Sequence, residues 1–236
     1  MNDELHFRAD ASSCTVSALY SLEHTIAADV FSGKTYPWEI LDDIKTFILR
    51  LGHDLSPDDY DNPSEGVWIA KDAVVAPTAF IGAPCIIDRG AEIRHCAFIR
   101  ECAIVGKGAV VGNSTELKNV ILFDGVQVPH YNYVGDSVLG WLSHMGAGAV
   151  TSNVKSDKSD VIIKTADRKI ATGRMKVGAM LGDNVEIGCN SVLNPGTVVC
   201  PGSSIYPSSC VRGTVPAGCI YKTGGIIVRR VTECVP

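Results

Sequence analysis

Nowhere does this 236-residue chain approach the roughly 20 consecutive apolar residues that a membrane-spanning helix needs. Nor is positive charge in excess. The 21 Lys and Arg are outnumbered by 26 Asp and Glu, a net charge of −5, so no basic face marks a nucleic acid or an anionic membrane as partner. The nine cysteines, Cys14, Cys85, Cys96, Cys102, Cys189, Cys200, Cys210, Cys219 and Cys234, include no Cys-x-x-Cys and are odd in number. That argues against a complete disulfide framework and for small buried side chains in a reducing compartment, with no role in holding a metal. The opening residues Met1-Asn2-Asp3-Glu4 lack the basic-then-apolar order of a signal peptide, so a soluble cytoplasmic protein is the expectation. With 46% hydrophobic residues the chain can bury a full core.

What the chain does have is a period. From 69 to 117 an aliphatic residue returns every sixth position: Ile69, Val75, Ile81, Ile87, Ile93, Ile99, Val105, Val111 and Leu117. A helix would space them by three and four, and a lone strand by two. Six means one short strand and one tight turn per repeat, with three repeats closing a triangular coil, the hexapeptide signature of a parallel β-helix. Gly82, Gly106 and Gly112 follow the aliphatic position, where a corner needs backbone without Cβ. The register slips after Leu117, resumes at Leu122, Val128 and Val134, and slips again before Leu139 and Met145; such slips re-aim turns, and function is expected near them. The period returns at Leu181, Ile187, Leu193, Val199, Ile205 and Val211.

Two segments stand outside the repeat. Residues 1–65 read as a helical cap and linker preceding a β-helix domain over 66–236. Residues 21–31 suit an amphipathic helix, Pro37 opens a second helix ended by Gly52, and acidic, proline-bearing 54–65 suits a linker. The helices are expected to cover the open end of the β-helix. The charged stretch 154–176 reads as an inserted loop, either a hairpin reaching toward a neighbouring subunit or a solvated excursion. The tail from Pro216 onward is expected to form a final strand or a free end.

Candidate chemistry gathers in Thr115-Glu116-Leu117-Lys118, then Val128-Pro129-His130-Tyr131-Asn132-Tyr133-Val134-Gly135-Asp136, Met145-Gly146-Ala147-Gly148 and Thr151-Ser152-Asn153. In residue type and spacing this series resembles the C-terminal acetyltransferase domain of the bifunctional bacterial enzymes that acetylate glucosamine-1-phosphate and then uridylylate it. That resemblance implies a left-handed parallel β-helix, acetyl-CoA as co-substrate, and an amino sugar phosphate or a nucleotide-linked amino sugar as acceptor. It assigns His130 as the catalytic base, since imidazole titrates near neutrality. Asp136 or a backbone carbonyl would orient the ring. It also assigns Arg100 and Lys118 to the sugar phosphate, Tyr133 and Asn153 to the sugar or its phosphate, and Ala147 and Cys189 to the coenzyme. His144 stands where the family has Asn, and the sequence after Asn153 departs from the family pattern, so the acceptor can differ. No Gly-rich nucleotide loop of the uridylyltransferase half is present.

A lone prism is convex and offers no pocket, so a homotrimer with the acyl donor between chains is expected. Two other readings compete. One is a non-catalytic sugar-nucleotide-binding module that keeps the phosphate site. The other is a zinc-dependent lyase of the γ-carbonic-anhydrase type, which would need His95, His130 and His144 to converge.

Overall fold

The computed structural model describes residues 8–230, so Cys234 and the acidic N-terminus lie outside the described residues. The chain winds into a parallel β-helix whose short strands stack on three flat faces. The first face carries Val74–Val75, Glu92–Ile93, Val110–Asn113, Gln127–His130, His144–Met145, Glu186–Ile187, Ser204–Ile205 and Cys219–Tyr221. The second holds Phe80–Ile81, Val150–Thr151, Val192–Leu193 and Cys210–Val211. Between them lie the leading halves of three long strands, Phe98–Val105, Glu116–Leu122 and Tyr133–Leu139, whose trailing halves turn onto the third face. There they join Val67–Ala70, Cys85–Ile87, Ala179–Leu181, Thr197–Val199 and Thr214–Val215. The six-residue period is therefore the inward ladder of this coil. Ile87, Ile93, Ile99, Val105, Val111 and Leu117 are all fully buried.

The slip expected after Leu117 is a bulge. Ile99 pairs with Leu117, but Glu101 pairs with Lys118, leaving Arg100 as the extra residue. A bulge bends the strand and re-aims its side chains, here at the corner between the second and third faces.

The third face breaks the rule of inward apolar and outward polar. Ile86, Ile104, Ile121, Val138, Met180 and Val198 occupy the outward position on successive rungs, and all are buried. The N-terminal segment covers them. Its helical part does not close the end of the coil as expected, but runs as a strap along the whole face, from the last rungs to the first. Ala9 accepts from Thr214 Oγ1 at 2.9 Å, Leu19 from the Asp183 N–H at 3.0 Å, and Leu41 from Asn119 Nδ2 at 3.1 Å. The strap and the coil share one hydrophobic core. The reason is apolar area: six outward aliphatic side chains in a line offer more burial than an end rung does.

Residues 21–31 form no α-helix, only 3₁₀ turns at Leu22–His24 and Ala28–Phe31. The second helical stretch is a 3₁₀ turn, Pro37–Ile40, followed by the α-helix Ile44–Asp54. Gly52 lies inside that helix because the Trp68 ring fills the space a Cβ would need. The expected linker contains a strand, Tyr60–Ser64, antiparallel to Val67–Ala70, with Pro63 tolerated because the strand is an edge. At the other end Ile227–Arg229 pairs antiparallel with Cys219–Tyr221, the final strand expected of the tail. Antiparallel edges thus close both ends of the coil.

The excursion is a hairpin of Ile162–Lys164 with Lys169–Ala171, folded back on its own chain. Val161 and Ile163 are buried against Gly196, and Ala166 N–H donates to the Ala9 carbonyl at 2.9 Å. Arg174 reaches Asp42 and the Glu39 carbonyl. The hairpin therefore extends the strap's cover on its own coil, where the sequence suggested either a reach to a neighbour or a solvated excursion.

Candidate functional site

The second face brings Arg100, Lys118, Tyr133 and Asn153 together. Its outward positions form a grid: Phe80, Phe98, Glu116 and Tyr133 in one column of paired residues, with Arg100 and Lys118 beside it. Arg100 Nη1 lies 2.9 Å from Glu116 Oε1, and this hydrogen bond raises the guanidinium pKa. Lys118 forms no ion pair among the described residues.

Asp136 is the keystone of the corner. Its buried carboxylate accepts from Asn119 Nδ2 at 3.0 Å on one oxygen and from Asn153 Nδ2 on the other. Asn153 also donates to Tyr133 Oη at 3.3 Å, and the Asp136 carbonyl accepts the Gly178 N–H at 2.8 Å. One aspartate therefore fixes three successive coils and both roots of the excursion. Burial pushes the Tyr133 phenol up, with Asp136 and Glu116 adding to the shift, so Tyr133 stays a neutral donor. Its hydroxyl lies where a Cβ at position 135 would be, which requires Gly135.

His130 stands at the opposite edge of the same face, on the corner shared with the first face. Asn132, 2% exposed, sets that corner. Its Oδ1 accepts the His130 N–H at 3.1 Å, while its Nδ2 donates to the carbonyls of Gly146 and Ala149 at 2.8 and 3.1 Å. Gly112 is needed beneath, because a Cβ there would collide with the Pro129 carbonyl. The His130 ring is exposed and has no hydrogen-bond partner among the described residues. Asp136 does not orient it, as the sequence allowed, because six residues of strand carry Asp136 to the far corner. Ala147 and Cys189 stack above His130 along its corner: the His130 carbonyl accepts from Gly148 N–H at 3.1 Å, and that of Ala147 from Asn190 N–H at 2.8 Å.

His144 is not part of this face. It lies on the first face beside Gln127, its Nδ1 2.9 Å from Glu186 Oε2. His95 bonds Thr78 Oγ1 at 2.9 Å, two rungs away from His130 with Asn113 on the rung between them. The three histidines do not converge, and among the described residues no three His, Cys, Asp or Glu side chains gather at metal distance. No helix of the described chain is long and apolar enough to cross a membrane.

Sequence reasoning missed Asn132, Asn119 and the aromatic pair Phe80 and Phe98. The first two are polar residues in a buried or left-handed corner (Asn119 has φ 53°), a signal readable only once the coil is drawn. Phe80 and Phe98 are eighteen residues apart, one full coil, which sets them side by side on the outward side of consecutive second-face rungs.

Comparison with known proteins agrees with the motif resemblance. The chain is 34% identical over 109 residues, 46% of its length, to a bifunctional sugar-1-phosphate nucleotidylyltransferase/acetyltransferase of Sulfurisphaera tokodaii, of which it covers 27%. It is 29% identical over 119 residues to the bifunctional protein GlmU of Methanococcus maripaludis, covering 50% of this chain and 29% of that one. The chain thus spans under a third of the length of these curated relatives. Among solved structures, the UDP-N-acetylglucosamine acyltransferase of Francisella novicida superposes with a TM-score of 0.45 at 14% identity, over 69% of this chain and 65% of that one. The family described as the GMPPB C-terminal domain matches residues 84–215, more than half of the sequence. The chain belongs to the GMPPB C-terminal domain family.

Proposed function

We propose that the protein is an acyl-CoA-dependent acyltransferase that acetylates the amine of a sugar phosphate or nucleotide-linked sugar bound on the second face. The observation that carries this reading is the placement of Arg100, Lys118 and Tyr133 on one flat face, locked by Asp136, with His130 on its opposite edge. Two cations beside a neutral phenol donor suit a phosphate and the sugar that carries it.

In this reading the sugar amine attacks the thioester carbonyl carbon, and His130 takes a proton from that nitrogen. The tetrahedral intermediate collapses as the C–S bond breaks, and the imidazolium returns its proton to the departing coenzyme A thiolate. The acyl donor would run along the His130, Ala147 and Cys189 corner. A single prism leaves that corner open to solvent, so a neighbouring copy completing the cleft in a homotrimer fits the chemistry.

Thiol release from acetyl-CoA with glucosamine-1-phosphate and with UDP-linked amino sugars tests the reading. His130→Ala is expected to lower turnover by about 10²–10⁴-fold, and Lys118→Ala to raise the acceptor KM about tenfold while leaving the KM for acetyl-CoA unchanged. Turnover indifferent to His130 sinks the catalytic assignment. The competing reading is the non-catalytic sugar-nucleotide module, in which the cationic pair binds phosphosugar and His130 takes no proton. Phosphosugar binding without thiol release favours it.

A further inference from the structure

The cationic corner and the aromatic pair belong to one surface. Phe98 and Arg100 lie on the same strand two residues apart, with buried Ile99 pointing inward between them. Although Arg100 is the bulge residue, its guanidinium reaches the same column, because Nη1 lies 2.9 Å from Oε1 of Glu116, the residue paired with Phe98. Phe80 is the rung neighbour of Phe98, with ring centroids 5.5 Å apart and planes tilted by 57°. Glu116 and Tyr133 continue the column on the other side at rung spacings of about 4.8 Å.

Both rings are open to solvent, Phe80 58% and Phe98 42% exposed, whereas Phe31, Phe47 and Phe123 are buried. Scattered exposed apolar residues call for no explanation, but two adjacent rings in line with a phosphate-type corner form a contiguous patch. A sugar monophosphate held between Lys118 and Tyr133 would leave that patch untouched. A flat π-face would not, because bases stack on aromatic side chains with little regard to sequence.

Resting on the reading of this face as the acceptor site, we infer that the acceptor is a nucleoside-diphosphate-linked amino sugar, its base stacked on Phe98 and walled by Phe80. The diphosphate then passes Arg100 and Lys118, the sugar lies over Tyr133, and its amine approaches the His130 edge. Glu116 holds Arg100 through one nitrogen and leaves the rest of the guanidinium for the first phosphate. The chemistry that recognises the ligand is thus ordered along the face as base, two phosphates, sugar. Any pathway that uses it must supply the amine on an already activated sugar, by a transamination or similar amine-forming reaction at the nucleotide-sugar level.

Calorimetric titration of the full chain with UDP, GDP, inorganic pyrophosphate and glucosamine-1-phosphate tests the assignment. The nucleotides are expected to bind at least tenfold more tightly than pyrophosphate. Phe98→Ala should remove most of that advantage without changing pyrophosphate binding, Phe80→Ala should remove part of it, and Lys118→Ala should weaken all four ligands. Both phenylalanines are exposed, so these variants fold. Equal binding of nucleotides and pyrophosphate, or nucleotide binding unaffected by Phe98→Ala, overturns the inference. So does a fall in oligomeric mass in Phe98→Ala by light scattering, which would make the pair a contact between copies. Parallel thiol-release assays separate this from the activity. Acetylation of glucosamine-1-phosphate alone, with no Phe98-dependent nucleotide binding, refutes the base platform and leaves the acyltransferase standing. Phe98-dependent nucleotide binding with no thiol release from any acceptor does the reverse.

Discussion

Single side chains at the corners of the coil carry more of the site than those on its faces. Asn132 is buried with both of its amide groups engaged, and truncation to Ala leaves the Gly146 and Ala149 carbonyls without their donor. An unmet buried acceptor costs about 1–3 kcal/mol, which for a chain of this length lowers Tm by roughly 2–12 °C. Because Asn132 also accepts the His130 N–H, Asn132→Ala should lower turnover in the thiol-release assay more than it raises the acceptor KM; equal changes would reduce Asn132 to packing. Asp136→Asn should act differently. One of its two oxygens becomes an NH2 facing the amide of Asn119 or Asn153, so the corner loosens and phosphosugar binding weakens while the coil stays folded, as circular dichroism would report.

Asp124 allows a pH test away from the site. It lines a cavity of about 390 Å³ between strap and coil, shared with Asp54, Asp59, Asp88, Arg89 and Lys107, and burial raises its carboxyl pKa. The folded state therefore holds that proton to higher pH than the unfolded state. Stability falls as pH rises from the ordinary carboxylate range through the raised value, and the penalty stays constant above it. Asp124→Asn, which keeps an oxygen for the Lys107 N–H, should raise Tm at pH 7, with the gain shrinking toward pH 4. A gain that persists unchanged at pH 4 contradicts the account.

At the scale of elements, the decisive feature is what covers each face. Ile104 and Val74 both hold outward positions on short strands, yet Ile104 is fully buried beneath the strap and Val74 is 64% exposed. Ile104→Ala is expected to cost about 2–5 kcal/mol in denaturant unfolding, while Val74→Ala stays within about 0.5 kcal/mol. Similar losses at both would mean the strap does not bury the third face in solution.

The same contrast marks where the sequence could be read. The inward ladder was legible because its period is fixed by the corner geometry and by nothing else. The strap was not, although its footprint stood in the chain as unbroken triplets such as Cys85-Ile86-Ile87 and Ala103-Ile104-Val105, the pattern of a strand buried on both sides. Periodicity tells which residues face in, and it is silent on which distant segment lies over those that face out. The 21–31 stretch failed as a helix for a related reason. Its apolar residues serve the strap's contact with the third face, and β-branched Thr25, Ile26 and Val30 gain nothing from a regular helix there. Within the candidate site, the motif pointed to Arg100, Lys118, Tyr133 and Asn153, which the second face brings together. Closeness in sequence allowed Asp136, or a backbone carbonyl, as the group orienting His130, and the fold carries Asp136 to the far corner, where it bonds Asn119 and Asn153.

For the whole molecule, the strap changes what kind of unfolding a solenoid allows. A coil whose rungs touch only their neighbours is quasi-one-dimensional, so its end rungs open first and independently. Here residues near the N-terminus bind the last rungs, with Ala9 held by Thr214, while the helix Ile44–Asp54 packs on the first through Gly52 and Trp68. The hairpin of the excursion joins the same layer through Ala11, whose N–H donates to Asp167 at 2.9 Å. One continuous cover therefore couples the two ends of the prism, and the site between them is held by the same layer through Asn119 and Leu41. Native-state hydrogen exchange should find the third-face amides of Ala179–Leu181 and Thr197–Val199 opening with the same free energy as those of Cys85–Ile87. Leu19→Asp places a charge under the strap beside the Asp183 contact, and it should release the late rungs first while the early rungs keep their protection. If the intact chain already frays from the Thr214 end, with early and late rungs opening independently, the strap is a cover for apolar surface and not the tie that makes this coil a single cooperative unit.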